Sequence, residues 1–260
     1  MELILTLDVG TTSVKACLFD RQLRQTALTS REYALQTRGV CAEVEAQVYL
    51  DAAAQCILSL PAEARARVCA VALTTQGETL LCVDRQGKAL RPAIVWLDSR
   101  AEAQAARLAA ALDRQRFYER TGLPELSGAL PLAKLLWLRE QEPESWARTD
   151  KFLLLEDYLM LWLTGRAVTE KSLLTSTGYF DLQSDDYWDE ALALAELDRT
   201  RLPQALACGS IVGPVLPEVA EALGLPASAC VVTGAMDQTA AALAAGCTRP
   251  GTLCETTGTA

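Results

Sequence analysis

The stretch LDVGTTSVKACLFD, residues 7–20, constrains the fold more than any other part of this sequence. Two apolar runs, residues 3–8 and 14–19, read as adjacent strands joined by a tight turn. A bare hairpin needs only the turn. This one also carries a carboxylate (Asp8), a glycine (Gly10) and the hydroxyls of Thr11, Thr12 and Ser13. Small residues in a tight turn leave several backbone N–H groups pointing one way, and such a concavity suits phosphate oxygens. Asp8 can hold a divalent cation or its waters, because hard cations take carboxylate oxygens. Lys15 adds positive charge. A plain polar turn accounts for the same residues without any ligand.

The pattern beyond the hairpin predicts a mixed architecture. VCAVALTT (68–75) reads as a buried strand, TLLCVD, PAIVWLDSR and VVTG (231–234) as further strands, and EYALQT as a third strand near the hairpin. Helical spacing runs over residues 45–60 and stops at Pro61. RAEAQAARLAAALD follows, with Ser99 and Glu102 at capping-box spacing. LAKLLWLREQ and LEDYLMLWLTG are two more helices, the second ending at Gly165. Residues 166–189 read as loops or short strands, and MDQTAAALAAG opens a helix of small residues. Strands come first and then alternate with helices, which is the order of an α/β domain with a mixed sheet.

Composition removes several kinds of chemistry. There is no histidine, so Ser–His and Cys–His dyads and histidine metal sites are excluded, and any general base is a carboxylate, Lys, Tyr or Cys. A net charge of −9 argues against a broad nucleic-acid surface. Nine cysteines form no C-x-x-C pair, and Cys17, Cys56, Cys69 and Cys230 sit in apolar context. They read as reduced core residues of a cytoplasmic protein. The sequence opens directly on a strand-like run with no secretory pattern, and no apolar run reaches the ~18 residues of a membrane span.

Two further groups of residues can carry chemistry. In VVTGAMDQTAAALAAG a carboxylate, Asp237, stands at a strand-to-helix junction. It fits either a helix N-cap or an acceptor for the proton of a substrate hydroxyl. Gln76 and Glu78 follow one buried strand, and Trp96, Asp98 and Arg100 follow another. Strand ends are where ligands sit in α/β folds, and amides, carboxylates and an aromatic face suit a polyol. Each of these residues singly also fits a solvated surface, and Asp98 fits a helix cap. The P-loop, the dinucleotide fingerprint and the protein-kinase signatures are absent.

Taken in order, these segments resemble the FGGY carbohydrate kinases, the family of glycerol, xylulose and related sugar kinases. The resemblance covers the whole chain but only that family's N-terminal half. LDVGTTSVKACLFD is similar to its phosphate hairpin, TTQGETLLCVD to the glycerol-kinase-like Asn-Gln-Arg-Glu-Thr, and PAIVWLDSRA to its Ala-Ile-Val-Trp segment. LPLAKLLWLREQEP resembles the xylulose-kinase form of the next helix, GAMDQTAAALAAG the segment bearing the catalytic Asp, and TTGTA the Gly-Thr-Ser turn, with Ala260 where Ser is usual.

The resemblance implies a two-lobed enzyme of the actin/hexokinase-like (ribonuclease H-like) fold, with a mixed β-sheet flanked by helices. Residues 1–260 would form its single N-terminal sugar-kinase domain, without the C-terminal ATP-binding domain. ATP and Mg²⁺ are the implied cofactors. A small-molecule sugar or polyol is the implied partner, with a homodimer allowed and neither nucleic acid nor membrane expected. Asp237 would take the proton of the attacking hydroxyl, and Asp8 would organise Mg²⁺. Gly10, Thr11, Thr12, Ser13, Lys15, Gly258 and Thr259 would hold phosphate oxygens. Gln76, Glu78, Trp96, Asp98, Arg100 and Gln238 would grip the sugar.

Two departures bear on the substrate. Gly77 stands where glycerol kinases carry Arg, which loses a donor and is expected to make room for a bulkier substrate. The Met-His of xylulose kinases is missing. This chain by itself is expected not to phosphorylate sugars at a useful rate. The competing readings are a non-catalytic sugar-binding or sensing domain of the same fold, an actin-like ATPase coupled to a partner, and a plain structural domain.

Overall fold

The strand Leu3–Val9 alternates along its length, with Leu3, Leu5, Leu7 and Val9 turned into the core. Leu5 and Leu7 are fully buried, each contributing roughly 2 kcal/mol of hydrophobic stabilisation. The computed structural model describes residues 2–255, and in it this strand is central to a six-stranded sheet. On one side it pairs antiparallel with Ser13–Phe19, which pairs antiparallel with Gln25–Glu32. On the other side it pairs parallel with Val68–Thr75, which pairs parallel with Cys230–Met236. Ile211–Pro214 closes that edge antiparallel. The expected mixed sheet is therefore present.

The helices Ala46–Ser59 and Leu155–Thr164 bury Tyr49, Ile57, Leu159 and Leu163 in the same core as this sheet. A second core gathers around Pro131–Gln141, with Leu132, Leu135 and Leu138 packed near Phe117, Phe152 and Trp188. Leu155–Thr164 stops where Gly165 adopts φ 71°, a left-handed conformation that glycine takes without strain.

The parallel strands end together. Val9 stands opposite Thr75, and Thr75 opposite Met236. The hairpin turn, Gln76 and Asp237 thus emerge side by side at the carboxyl end of the sheet, the edge where α/β folds place their ligands.

Several local expectations need correction. EYALQT is not one strand: Glu32 ends Gln25–Glu32, and a separate small strand covers Gln36–Arg38. The true third strand is an edge strand with no buried residue, so hydrophobic alternation could not reveal it. In PAIVWLDSR only Ala93–Ile94 is strand. Ser99 and Glu102 form no capping box. The helix Glu102–Ala111 begins after Ala101 without a side-chain cap, and Glu102 instead accepts the Gly128 N–H at 3.0 Å. Residues 166–189 hold short strands and a helical turn, Lys171–Leu174. All nine cysteines are free, but Cys69 and Cys230 are only half-buried, because each faces away from the core on a strand of the large sheet. Among the described residues no helix is long and apolar enough to cross a membrane.

Candidate active site

A cavity of about 380 Å³ opens at the carboxyl edge of the sheet, lined by Thr11, Gln76, Gly77, Glu78, Trp96, Met236, Asp237 and Gln238. Six residues singled out in the sequence meet there from four separate segments: Thr11, Gln76, Glu78, Trp96, Asp237 and Gln238.

The hairpin wall is built locally. The Gly10 N–H donates to the Ser13 carbonyl at 3.0 Å and closes the turn. Tyr33 pins it twice, its N–H donating to Thr12 O at 2.9 Å and its hydroxyl to Gly10 O. Asp8 faces Lys15 across the hairpin at 3.2 Å, and both side chains remain partly exposed. The Trp96 indole N–H donates to Thr11 Oγ1 at 2.9 Å, tying the aromatic wall to the Gly10–Ser13 turn.

The Gln76–Glu78 wall is more strained. The Gln76 N–H donates to Val9 O at 3.0 Å, locking this loop onto the end of the first strand. Gln76 is 3% exposed, and among the described residues its Oε1 has no hydrogen-bond partner. A buried acceptor left open on a cavity wall matches a ligand hydroxyl. Glu78 adopts φ 59°, unusual for a residue with a side chain. Burial raises its carboxyl above the usual range, against the nearby Lys134 charge and a Ser176 hydrogen bond. Gly77 lines the cavity, and a Cβ there would lie 3.0 Å from Met236 Sδ and 3.2 Å from Ser176 Oγ, so a side chain at this position would press on both.

Asp237 is the first residue of the helix Asp237–Ala244, and its Oδ1 accepts the Gln238 N–H at 2.7 Å. It is not the N-cap, which is Met236. Burial raises the Asp237 carboxyl above the ordinary aspartate value, and the neighbouring Asp8 charge raises it further. Asp8 does not line the cavity, but its charge reaches Asp237, and two carboxylates that feel each other are a fitting place for a cation.

Asp98 and Arg100 lie elsewhere. The Asp98 side chain is fully buried, accepts the Ala42 N–H at 2.6 Å, and pairs with Arg100 at 2.6 Å. Arg100 and Arg91 both reach Glu43, so these residues form an ionic cluster of their own and do not line the cavity. Gly258 and Thr259 lie outside the described residues.

Sequence reasoning missed Lys134. It is fully buried, and its Nζ donates to Val95 O at 3.0 Å and Glu78 O at 3.4 Å, bracing the two loops that carry Glu78 and Trp96. Burial lowers its ammonium to about 8. The available signal was a lysine inside an otherwise apolar helical run, LPLAKLLWL.

Fold and cavity together define an α/β protein whose candidate site is a carboxylate-bearing pocket at the ends of parallel strands. The model for the FGGY family of carbohydrate kinases, N-terminal domain, matches residues 3–244, and the chain belongs to that family. It is 32% identical over 250 residues to a xylulose kinase of Lactococcus lactis, covering 95% of this chain and 50% of that protein. It is 33% identical over 271 residues to a glycerol kinase of Methylobacterium nodulans, covering 99% of this chain and 52% of that protein. The crystal structure of a xylulose kinase from Rhodospirillum rubrum superposes with a TM-score of 0.91 at 31% identity, over 96% of this chain and 52% of that one. The fold is the actin/hexokinase-like fold of these sugar kinases. The chain spans about half the length of the curated relatives it matches.

Proposed function

We propose that this chain supplies the sugar site, the general base and part of the phosphate site of an ATP-dependent carbohydrate kinase. The observation that carries the reading is the cavity itself, which joins Thr11, Gln76, Glu78, Trp96, Asp237 and Gln238 from distant parts of the sequence.

The residues present fit the implied cofactors. Among the described residues no group of three or more His, Cys, Asp or Glu is placed to hold a metal alone. Mg²⁺ needs no such cage, because one or two carboxylates and phosphate oxygens suffice, and Asp8 offers a partly exposed carboxylate beside Asp237. The Gly10–Ser13 turn and Lys15, with Gly258 and Thr259, are the groups proposed to hold the phosphates. When bound, MgATP supplies the transferable phosphoryl group and neutralises its charge.

The chain's own residues then divide the work. Gln76 and Glu78 accept hydrogen bonds from sugar hydroxyls, Trp96 presents an apolar face to the ring or chain, and Gln238 closes the rim. Asp237 accepts the proton of the attacking hydroxyl at its carboxylate. Burial and the Asp8 charge raise this carboxyl, which makes it a stronger base than a free aspartate. Among the described residues two carboxylates and no cation line the cavity, which favours a neutral sugar or polyol over a sugar acid.

The test is nucleotide turnover by the complete two-lobed enzyme against a panel of polyols, ketopentoses, ketohexoses and sugar acids. A strong response to one neutral compound is expected. Silence across the panel with ATP bound would favour the non-catalytic sugar-binding reading, and preference for a sugar acid would refute the charge argument.

A further inference from the structure

The strand that delivers Asp237 contains an insertion. Cys230–Met236 runs parallel to Val68–Thr75 with Val232 opposite Ala72, yet Ala235 stands opposite Thr74. Three steps on one strand match two on the other, which is a β-bulge, a device that re-aims side chains beside active sites. Gly234 occupies it: a Cβ there would collide with the Leu73 carbonyl, 2.6 Å from its carbon.

The bulge takes backbone groups out of the sheet ladder, and side chains replace the lost bonds. Glu156 Oε1 accepts the Gly234 N–H at 3.0 Å. Thr74 Oγ1 donates to Ala235 O at 2.7 Å. Ser172 Oγ accepts the Met236 N–H at 3.0 Å and donates to Glu170 Oε1 at 2.7 Å. Glu170 is in turn clamped by the N–H groups of Ser172 and Leu173, both at 2.6 Å. Glu156 and Glu170 are fully buried, and neither lines the cavity.

Buried carboxylates are costly, and apolar residues of similar size would usually pack as well. What apolar residues lack is an acceptor for the freed N–H groups. We infer that Glu156 and the Ser172–Glu170 pair are positioning residues that hold the bulge and so set the direction in which Asp237 meets the sugar hydroxyl. The inference rests on the proposed role of Asp237 as base. It needs no contact between these side chains and any ligand.

The test compares Ser172→Ala, Glu156→Leu and Glu156→Gln in the complete enzyme, using amide hydrogen exchange at Gly234 and Met236 alongside steady-state kinetics. Ser172→Ala should lose protection at Met236. It should also lower turnover about tenfold or more, since small misplacements of a reacting group are expensive. The half-saturating sugar concentration should stay within about twofold, because Gln76, Glu78 and Trp96 stand on other segments of the cavity wall. Glu156→Leu should do the same at Gly234, whereas Glu156→Gln, which keeps a neutral acceptor, should return both readouts to near wild type. Should Glu156→Leu fail to fold, Ser172→Ala carries the test.

Retained Met236 protection in Ser172→Ala would overturn the inference. So would lost protection with unchanged turnover, or equal losses in turnover and sugar affinity. A wild-type enzyme silent to every sugar would refute Asp237 as base, while the exchange data would still decide whether these side chains hold the bulge.

Discussion

Two strand ends meet at the cavity, and they are held in opposite ways. The Gly10–Ser13 turn is closed by its own backbone bond and by Tyr33, a residue of the same N-terminal segment. The Gly234–Asp237 end is held by Glu156 and Ser172, 78 and 64 residues away in sequence. The hairpin carboxylate, Asp8, stays partly in solvent with Lys15, whereas the acids behind Asp237 are wholly buried. A loop that must wrap an exchangeable ligand can be built from local turns. On the proposed function, a base that must point in one direction needs support from the core.

That contrast can be broken by mutation, and the largest effect is expected at the bulge. Gly234→Ala drives a methyl into the Leu73 carbonyl and should cost roughly 3 kcal/mol or more, read as the midpoint of chemical denaturation. A loss below about 1 kcal/mol would mean the bulge yields easily. Glu78→Ala should weaken sugar binding about tenfold, the loss of one charged hydrogen bond, measured by calorimetry. Unchanged affinity would remove Glu78 from the site.

The buried acids also predict a pH dependence of stability. Burial pushes Asp157 from 3.8 to about 8. Between those values the folded protein keeps a proton that the unfolded chain releases, so stability should fall as pH rises from about 4 towards about 8. Asp157→Asn, which retains an acceptor for the Leu154 N–H, should flatten that fall. An unchanged slope would place the proton elsewhere. The smallest effect belongs to the hairpin: Lys15→Ala removes an exposed ion pair and should change stability by less than about 0.5 kcal/mol.

The same contrast explains what the sequence made legible. An apolar run revealed each of Leu3–Val9 and Val68–Thr75, because both pack into the core. The same signal is missing from Gln25–Glu32, an edge strand with nothing to bury. Thr11, Gln76, Glu78, Trp96, Asp237 and Gln238 were legible because each follows an apolar strand directly. Asp98 and Arg100 satisfy the same pattern yet serve an ionic cluster of their own, since a strand-end charge looks alike whether it turns inward or outward. Glu156 sits within an apolar helix, and Ser172 lies in the helical turn Lys171–Leu174, in a stretch whose sequence reads as loops or short strands. Only the folded chain brings them to the bulge.

The most direct measurement is on Asp237→Asn, comparing sugar binding by calorimetry with phosphoryl transfer in the complete enzyme. Sugar affinity near wild type with turnover lowered about a thousandfold is expected if this carboxylate takes the hydroxyl proton. Turnover within a few-fold of wild type would contradict that assignment.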